Sequence, residues 1–227
     1  MKPVILMVLL LSIISGCATP ETTEEEVDAS EIDWMIGAAA TAEEVHPLLP
    51  GMMAASFNAQ TADGSVFEFN ASRRQKNSIL IFYRGGWCPY CNRQLMDLRE
   101  IDDELVSLGY DLFFISADRP GKLSEGSLSD DPPYTLLSDN EMDVAKAFGI
   151  AYKVDEETVA RYKRGGLDIE DAAGYSHHLL PAPSVFLIDQ DGLIQFQYTN
   201  PNYRVRVSRD ILLSAARVYS SSADQKG

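Results

Sequence analysis

The sequence predicts an α/β domain in which helices flank a central, mixed β-sheet. A continuous apolar run at residues 78–83 (SILIFY) is typical of a strand that is buried on both faces. A helical pattern follows over residues 89–108, and a second apolar run lies at residues 111–116 (DLFFIS). A strand, a helix and a strand in this order form a βαβ unit, which places two parallel strands in one sheet.

The helical pattern at residues 89–108 has one apolar face. Apolar side chains recur there at three- and four-residue spacing and predict the side that packs on the sheet: Leu95, Leu98, Ile101, Leu105 and Leu108. Gly109 follows this pattern directly, and we expect it to end the helix.

Two Asp-Gly turn signals predict antiparallel hairpins beside the parallel strands. Asp63-Gly64 separates two short strands within residues 57–70, and Asp191-Gly192 separates strands at 184–188 and 193–198. Further elements are predicted as a strand at 134–137, a helix at 141–148, a helix around 158–163 within an otherwise irregular segment 152–180, and a final helix at 208–219.

The N-terminus has the features of an export signal. Lys2 precedes an apolar run at residues 4–14, which is too short to span a bilayer and ends in Ile14-Ser15-Gly16-Cys17. This ending resembles the lipobox of bacterial lipoproteins, in which the cysteine is acylated. We therefore expect an exported protein that is lipid-anchored through Cys17 to a bacterial membrane and faces the periplasm or the cell exterior. The alternative is a buried or membrane-anchoring apolar segment with an incidental cysteine.

The 227 residues are expected to form a single folded domain. The predicted division is a signal peptide at 1–16, an acidic tether at 17–47, the domain at 48–220 and a tail at 221–227. The formal net charge of −15 argues against nucleic acid and anionic lipid as partners. Any membrane association would therefore come from the lipid anchor rather than from surface charge.

The cysteine count limits the chemistry. If Cys17 carries lipid, the remaining Cys88 and Cys91 stand three positions apart and cannot close a large loop. Such a pair is either redox-active or half of a metal site, which would need two more ligands. The adjacent His177 and His178 can hardly join the same site. We therefore expect neither a metal nor a cofactor.

Position in the predicted βαβ unit indicates how the pair would work. Cys88 follows a buried strand, and Pro89 occupies the first helical position, so the helix N-terminus faces the Cys88 sulfur. With Arg84 nearby, this should lower the pKa of Cys88, and the thiolate is the reactive form. We expect Cys88 to be the exposed attacking sulfur. Cys91, one turn further on, is expected to lie deeper and to act as the resolving sulfur.

The residues around this motif resemble a known family. The run at 82–92 (FYRGGWCPYCN), which includes Trp87, looks like the active-site signature of peroxiredoxin-like proteins in the alkyl hydroperoxide reductase/thiol-specific antioxidant family. Three further segments are similar to that family: 136–149 (LLSD to VAKAFG), 180–192 and 200–206 (NPNYRVR). The resemblance implies a thioredoxin-like fold and a thiol-dependent antioxidant oxidoreductase. It also implies a thioredoxin-like or other thiol reductant, and a cis-proline at Pro183 facing the cysteines. A trans proline at a strand start is the alternative for Pro183.

One departure from the family leaves the substrate open. The peroxide-binding pattern P-x-x-x-T-x-x-C would place Pro and Thr at Ile81 and Gly85, so the hydroxyl is missing. The first hypothesis is a peroxidase in which Cys88 attacks a hydroperoxide. The second is a thiol–disulfide oxidoreductase that acts on protein disulfides. The third is a non-enzymatic scaffold or metal-binding module.

The remaining polar candidates are expected to have structural roles. Arg204, Arg206 and Arg209 form a basic cluster, for which surface salt bridges are favoured over a role of Arg206 in the active site. Proton donation by His177 or His178 is ranked below a structural role.

Overall fold

The computed structural model describes residues 37–123 and 133–223. Within these ranges, nine strands form two sheets: β1 (Phe57–Gln60), β2 (Val66–Phe69), β3 (Asn77–Tyr83), β4 (Tyr110–Ser116), β5 (Tyr134–Ser138), β6 (Ala151–Lys153), β7 (Leu179–Pro181), β8 (Ser184–Ile188) and β9 (Ile194–Thr199). Seven of them make one mixed sheet in the order β2-β1-β5-β4-β3-β8-β9, and β6 and β7 pair separately. The predicted α/β sheet architecture is confirmed.

The helices connect and cover these strands. The described residues contain α1 (Pro89–Arg99), α2 (Asp102–Ser107), α3 (Pro120–Leu123), α4 (Asp143–Ala147), α5 (Glu156–Arg164), α6 (Ile169–Ala173) and α7 (Arg209–Ala223), with 3-10 turns at Ala42–Glu44 and Ala71–Arg73. None of the helices in this part of the chain combines the length and the apolar character that crossing a bilayer requires. Helix α7 runs through the start of the predicted tail.

Strand β3 is the centre of the fold, and all seven of its residues are buried. It runs parallel to β4 and antiparallel to β8, as the predicted βαβ unit and hairpin require. Its side chains alternate between two cores, because successive residues of a strand point to opposite faces. Ile81 and Tyr83 join the core that contains the cysteine pair, whereas Leu80 and Phe82 join the other core.

The predicted helix at 89–108 is broken in two, which corrects that prediction. Helix α1 ends at Arg99, and Ile101 leaves helical geometry with φ −127° and ψ 0° before α2 begins. The Asp102 carboxylate accepts a hydrogen bond from the N–H of Asp103 at 2.7 Å, so it competes with helix continuation. The break keeps Ile101 and Leu105 buried in the same core.

The packed domain begins before Leu48, the start that the sequence predicts. The Ala39 N–H donates to Ala151 O at 2.8 Å, and the Lys153 N–H donates to Ala39 O at 2.9 Å. Ala39 pairs with Tyr152 of β6 through a single bridge. One bridge requires no repeating apolar pattern, so periodicity in the sequence does not reveal this segment. The segment 152–180 also contains more regular structure than predicted. Besides the expected helix α5, it includes α6 and parts of β6 and β7.

Candidate functional site

The cysteine pair lies where β3 ends and α1 begins. Cys88 is the N-cap residue of α1, and Pro89 is its first residue, as predicted. The carbonyl of Cys88 accepts hydrogen bonds from the N–H groups of Cys91 and Asn92, both at 3.0 Å. The site therefore stands at the carboxyl ends of the parallel strands, the usual position of active sites in α/β sheets.

Both sulfurs are reduced and buried, which corrects the expectation of an exposed Cys88. Cys88 is 1% exposed and Cys91 is 0% exposed. Cys88 packs into the same apolar core as Ile81 and Tyr83, and the partly buried Trp87 packs against that core. Exposure therefore does not distinguish the attacking sulfur from the resolving sulfur.

The pKa values of the two thiols do distinguish them. A hydrogen bond from the Cys91 thiol is the main cause that lowers the pKa of Cys88 to about 6, and the Cys91 backbone N–H, Arg84 and Arg206 add to it against the opposing effect of burial. Burial and the same hydrogen bond raise the pKa of Cys91 well above its ordinary value. Cys88 is thus a thiolate at neutral pH, and Cys91 is the neutral donor beside it.

Arg84 supplies a buried positive charge behind Cys88. Its guanidinium lies over the rings of Trp87, Tyr162 and Tyr203, at 5.0, 5.4 and 4.3 Å from their centroids. Its Nη2 donates to the Tyr162 hydroxyl at 2.8 Å. Arg84 is only 2% exposed, so the aromatic rings hold an unscreened cation next to the sulfur. Sequence reasoning found Arg84 and Trp87 but missed Tyr162, which lies in α5 with no distinguishing motif.

The backbone at Gly85 leaves no room for the side-chain hydroxyl that the family pattern places at this position. Gly85 has φ +156°, and a Cβ there would stand 2.3 Å from Trp87 Nε1 and 2.6 Å from Asp118 Oδ1. The Asp118 carboxylate, which follows β4, also accepts the Gly86 N–H at 2.7 Å. Asp118 therefore fixes the loop that carries Cys88, a role that no sequence signal indicated.

Arg206 belongs to the site, contrary to the surface salt bridge that the sequence favours for it. Its Nη2 donates to Cys91 Sγ at 3.3 Å. The neighbouring Arg209 does form the surface pair, with Glu100. Arg204 instead lies over Tyr90, 5.9 Å from the ring centroid. The basic cluster was visible in the sequence, but only the fold shows which of its members reaches a sulfur.

Pro183 is in the trans form, which corrects the expected cis-proline. No cis peptide bond occurs among the described residues. Pro183 lies between β7 and β8, where the Ala182 N–H donates to Ile150 O at 2.8 Å and Pro183 O accepts from Asn200 N–H at 3.2 Å. The trans form is the one that most X–Pro bonds adopt in folded proteins.

The two histidines have structural contacts. His177 Nε2 lies 2.8 Å from Asn140 O, and His178 sits between Glu156 and Glu170, at 3.2 and 3.0 Å. Within residues 37–123 and 133–223, no group of three or more histidine, cysteine or acidic side chains is placed to hold a metal ion.

A cleft of about 440 Å³ opens beside the cysteine motif. Its lining combines the active-site loop with the start of α6 and the turn before it: Gly86, Trp87, Asp118, Lys122, Gly165, Gly166, Leu167, Asp168, Asp171 and Ala172. The cleft reaches the Trp87 side of the motif, and neither Cys88 nor Cys91 is among these lining residues.

A low-pKa cysteine hydrogen-bonded to a second cysteine, on this sheet, defines a thiol-dependent redox protein of thioredoxin-like fold. The chain matches the AhpC/TSA family over residues 50–197 and belongs to that family. It is 35% identical over 107 residues to peroxiredoxin Bcp of Escherichia coli K12, covering 47% of this chain and 67% of that protein.

Solved structures confirm the fold. Peroxidoxin BcpB from Mycobacterium tuberculosis superposes with a TM-score of 0.56 at 20% identity, over 75% of this chain and 97% of that chain. Peroxiredoxin 6 of Arenicola marina, solved as a cysteine-to-serine mutant, gives a TM-score of 0.62 at 17% identity, over 78% and 75% of the two chains.

Proposed function

We propose that the protein is a thiol peroxidase. The Cys88 thiolate attacks one oxygen of a hydroperoxide, the O–O bond breaks, and the leaving oxygen takes a proton to depart as an alcohol or water. Cys88 is then a sulfenic acid. The Cys91 sulfur attacks it, the S–S bond forms and water leaves, after which an external dithiol returns two electrons. The observation that carries this proposal is the low pKa of Cys88 beside a hydrogen-bonded Cys91.

The absent hydroxyl supports a second candidate function. A side chain at position 85 would clash with Trp87 and Asp118, so this loop conformation has no room for the group that binds peroxide in the family pattern. A thiol–disulfide oxidoreductase needs no such group. In that reaction, Cys88 attacks a protein disulfide, and Cys91 resolves the mixed disulfide.

Stopped-flow kinetics distinguish the two candidates. The reduced protein is mixed with hydrogen peroxide, with an alkyl hydroperoxide or with oxidised insulin, and Trp87 fluorescence reports the oxidation of the nearby sulfur. The peroxidase predicts a fast peroxide reaction that a C88S variant loses and a C91S variant keeps up to the sulfenic acid. Peroxide oxidation no faster than that of a free low-pKa thiol, combined with rapid insulin reduction, would select the oxidoreductase.

We also propose that the protein is exported and anchored through a lipid on Cys17. This rests on the apolar run and the residues before Cys17, which lie outside the described part of the structure. Expression in a bacterium with labelled palmitate should give a labelled membrane-bound protein, and a C17S variant should lose the label. A protein that stays unlabelled in the soluble fraction would contradict the anchor.

A further inference from the structure

The contacts of Arg206 and of the residues beside it hold its guanidinium against Cys91. Its Nη2 lies 3.3 Å from Cys91 Sγ, and its Nη1 donates to Val205 O at 3.3 Å. The following residue, Val207, is buried in the same core as Cys91. Arg206 forms no ion pair with a carboxylate of the described residues, and its Nε is buried without a hydrogen-bond partner. Among the described residues, the Cys91 sulfur is therefore the side-chain acceptor that this guanidinium reaches, beside the Val205 carbonyl.

In the reduced protein, the charge at Cys88 keeps Cys91 protonated. The ionisable and polar groups that face Cys91 are the Cys88 thiolate, Tyr83, the Arg206 guanidinium and the Arg84 backbone N–H. Burial and the Cys88 thiolate raise the pKa of Cys91, whereas Arg206 and the Arg84 N–H lower it. The attacking sulfur thus carries the negative charge, and the resolving sulfur stays neutral.

Oxidation of Cys88 removes one of the two causes that keep Cys91 protonated, while burial remains. A sulfenic acid is neutral, so the negative charge that opposed ionisation of Cys91 is removed at the first chemical step. The Arg206 guanidinium, which carries a full positive charge, remains in direct contact with the Cys91 sulfur. Charge-assisted hydrogen bonds to an ionised acceptor are about twice as strong as neutral ones.

We propose that Arg206 is the catalytic residue of the second step, because its guanidinium stabilises the Cys91 thiolate once Cys88 has been oxidised. This inference rests on the proposed peroxidase cycle. In the step, the Cys91 thiolate attacks the Cys88 sulfur, the S–S bond forms and the S–O bond breaks. The hydroxyl departs and takes up the proton that Cys91 released, leaving as water, so no further oxidant is required. The contact orders the cycle, because Cys91 becomes reactive only after Cys88 has reacted.

Titration of Cys91 tests the contact without any peroxide. In a C17S/C88S background, where Cys91 is the one cysteine left in the sequence, the ultraviolet absorbance of the thiolate is followed against pH with Arg206 intact, and with R206Q, R206M or R206K. The R206Q and R206M variants should shift the Cys91 midpoint upward by about one unit, which is a tenfold loss of thiolate at a given pH. R206K keeps the charge and should shift it less. R209Q, which removes an equal charge three positions away, is the matched control and should leave the midpoint unchanged.

Kinetics with Cys88 intact test the role in catalysis. After mixing with hydrogen peroxide, disulfide formation should slow about tenfold in R206M at neutral pH, and dimedone should trap the accumulated sulfenic acid. The first oxidation phase should change less than the second.

The results separate failure of this inference from failure of the peroxidase proposal. A Cys91 midpoint that is equal with and without Arg206 overturns the inference, as does a midpoint for R206K as high as that for R206M. If peroxide does not oxidise Cys88, the peroxidase proposal fails while the titration still decides the contact. R206M keeps the apolar stem, so it provides the answer where R206Q does not fold, with near-ultraviolet circular dichroism as the check.

Discussion

Replacing Gly85 with alanine should destabilise the protein more than a glycine substitution elsewhere. Two costs combine at this position. The backbone φ of +156° is one that L-residues rarely adopt, which costs about 1–3 kcal/mol. A Cβ would also stand 2.3 Å from Trp87 Nε1 and 2.6 Å from Asp118 Oδ1, and crowding of this kind costs about another 1–3 kcal/mol.

Gly64 provides the matched control. It also has a positive φ, +83°, but a Cβ there would have no atom within 4 Å. G64A therefore carries backbone strain without crowding, and the additional loss in G85A measures the contact with Trp87 and Asp118 together with the difference in strain between the two backbone conformations. We expect that additional loss in the free energy of unfolding to be about 1–3 kcal/mol, or about 2–12 °C in Tm for a domain of this size.

Thermal denaturation of the reduced variants, followed by circular dichroism, gives this difference. A G85A variant as stable as G64A would refute the reasoning, because it would show that the loop has room for a side chain. A threonine at position 85 could then restore the family hydroxyl. If the crowding is real, G85T should be at least as unstable as G85A and should not speed the reaction with peroxide.

Three other measurements test the site and its supporting helix. The rate of Cys88 alkylation should rise with pH around a midpoint near 6 and level off above about pH 7, because the thiolate is the reactive form. A midpoint near the ordinary thiol value of about 8.5 would contradict the lowered pKa. Arg84→Met should raise that midpoint by about one unit or more, since a neighbouring opposite charge is removed, and an unchanged alkylation profile would exclude an electrostatic role. Asp139→Ala should lower stability in urea by about 1–2 kcal/mol because Asp139 accepts two backbone N–H bonds at the start of α4. Asp143→Ala, at an exposed position, is the control. Equal losses of stability in the two variants would argue against a stabilising role of the Asp139 hydrogen bonds.

The sheet was predictable because its signals are local. The apolar run of β3 is buried at every position, and the two Asp-Gly turns lie within the hairpins that they predict. The strand–helix junction at Cys88 and Pro89 likewise follows from adjacent residues. These features need only periodicity and turn chemistry, which a single sequence contains.

The remaining features depend on contacts between distant residues. Arg206 reaches Cys91 across 115 positions, and Arg84 reaches Tyr162 across 78. No periodicity marks such pairs. The burial of Cys88 likewise depends on the core around it, to which several strands and helices contribute. Adjacent residues therefore predicted the cysteine pair at the strand–helix junction and Arg84 beside it, while the contacts of Tyr162 and Arg206 required the fold.

The two site arginines have a consequence for the redox equilibrium. Arg84 and Arg206 both lower the pKa of Cys88, so both stabilise its thiolate in the reduced protein. Formation of the disulfide removes the negative charge of the thiolate. The two guanidinium groups then lose this favourable electrostatic interaction. Electrostatics therefore favour the dithiol, which moves the reduction potential toward oxidising values by about 30 mV for each 1.4 kcal/mol of that preference. A mildly reducing donor should suffice to regenerate the protein.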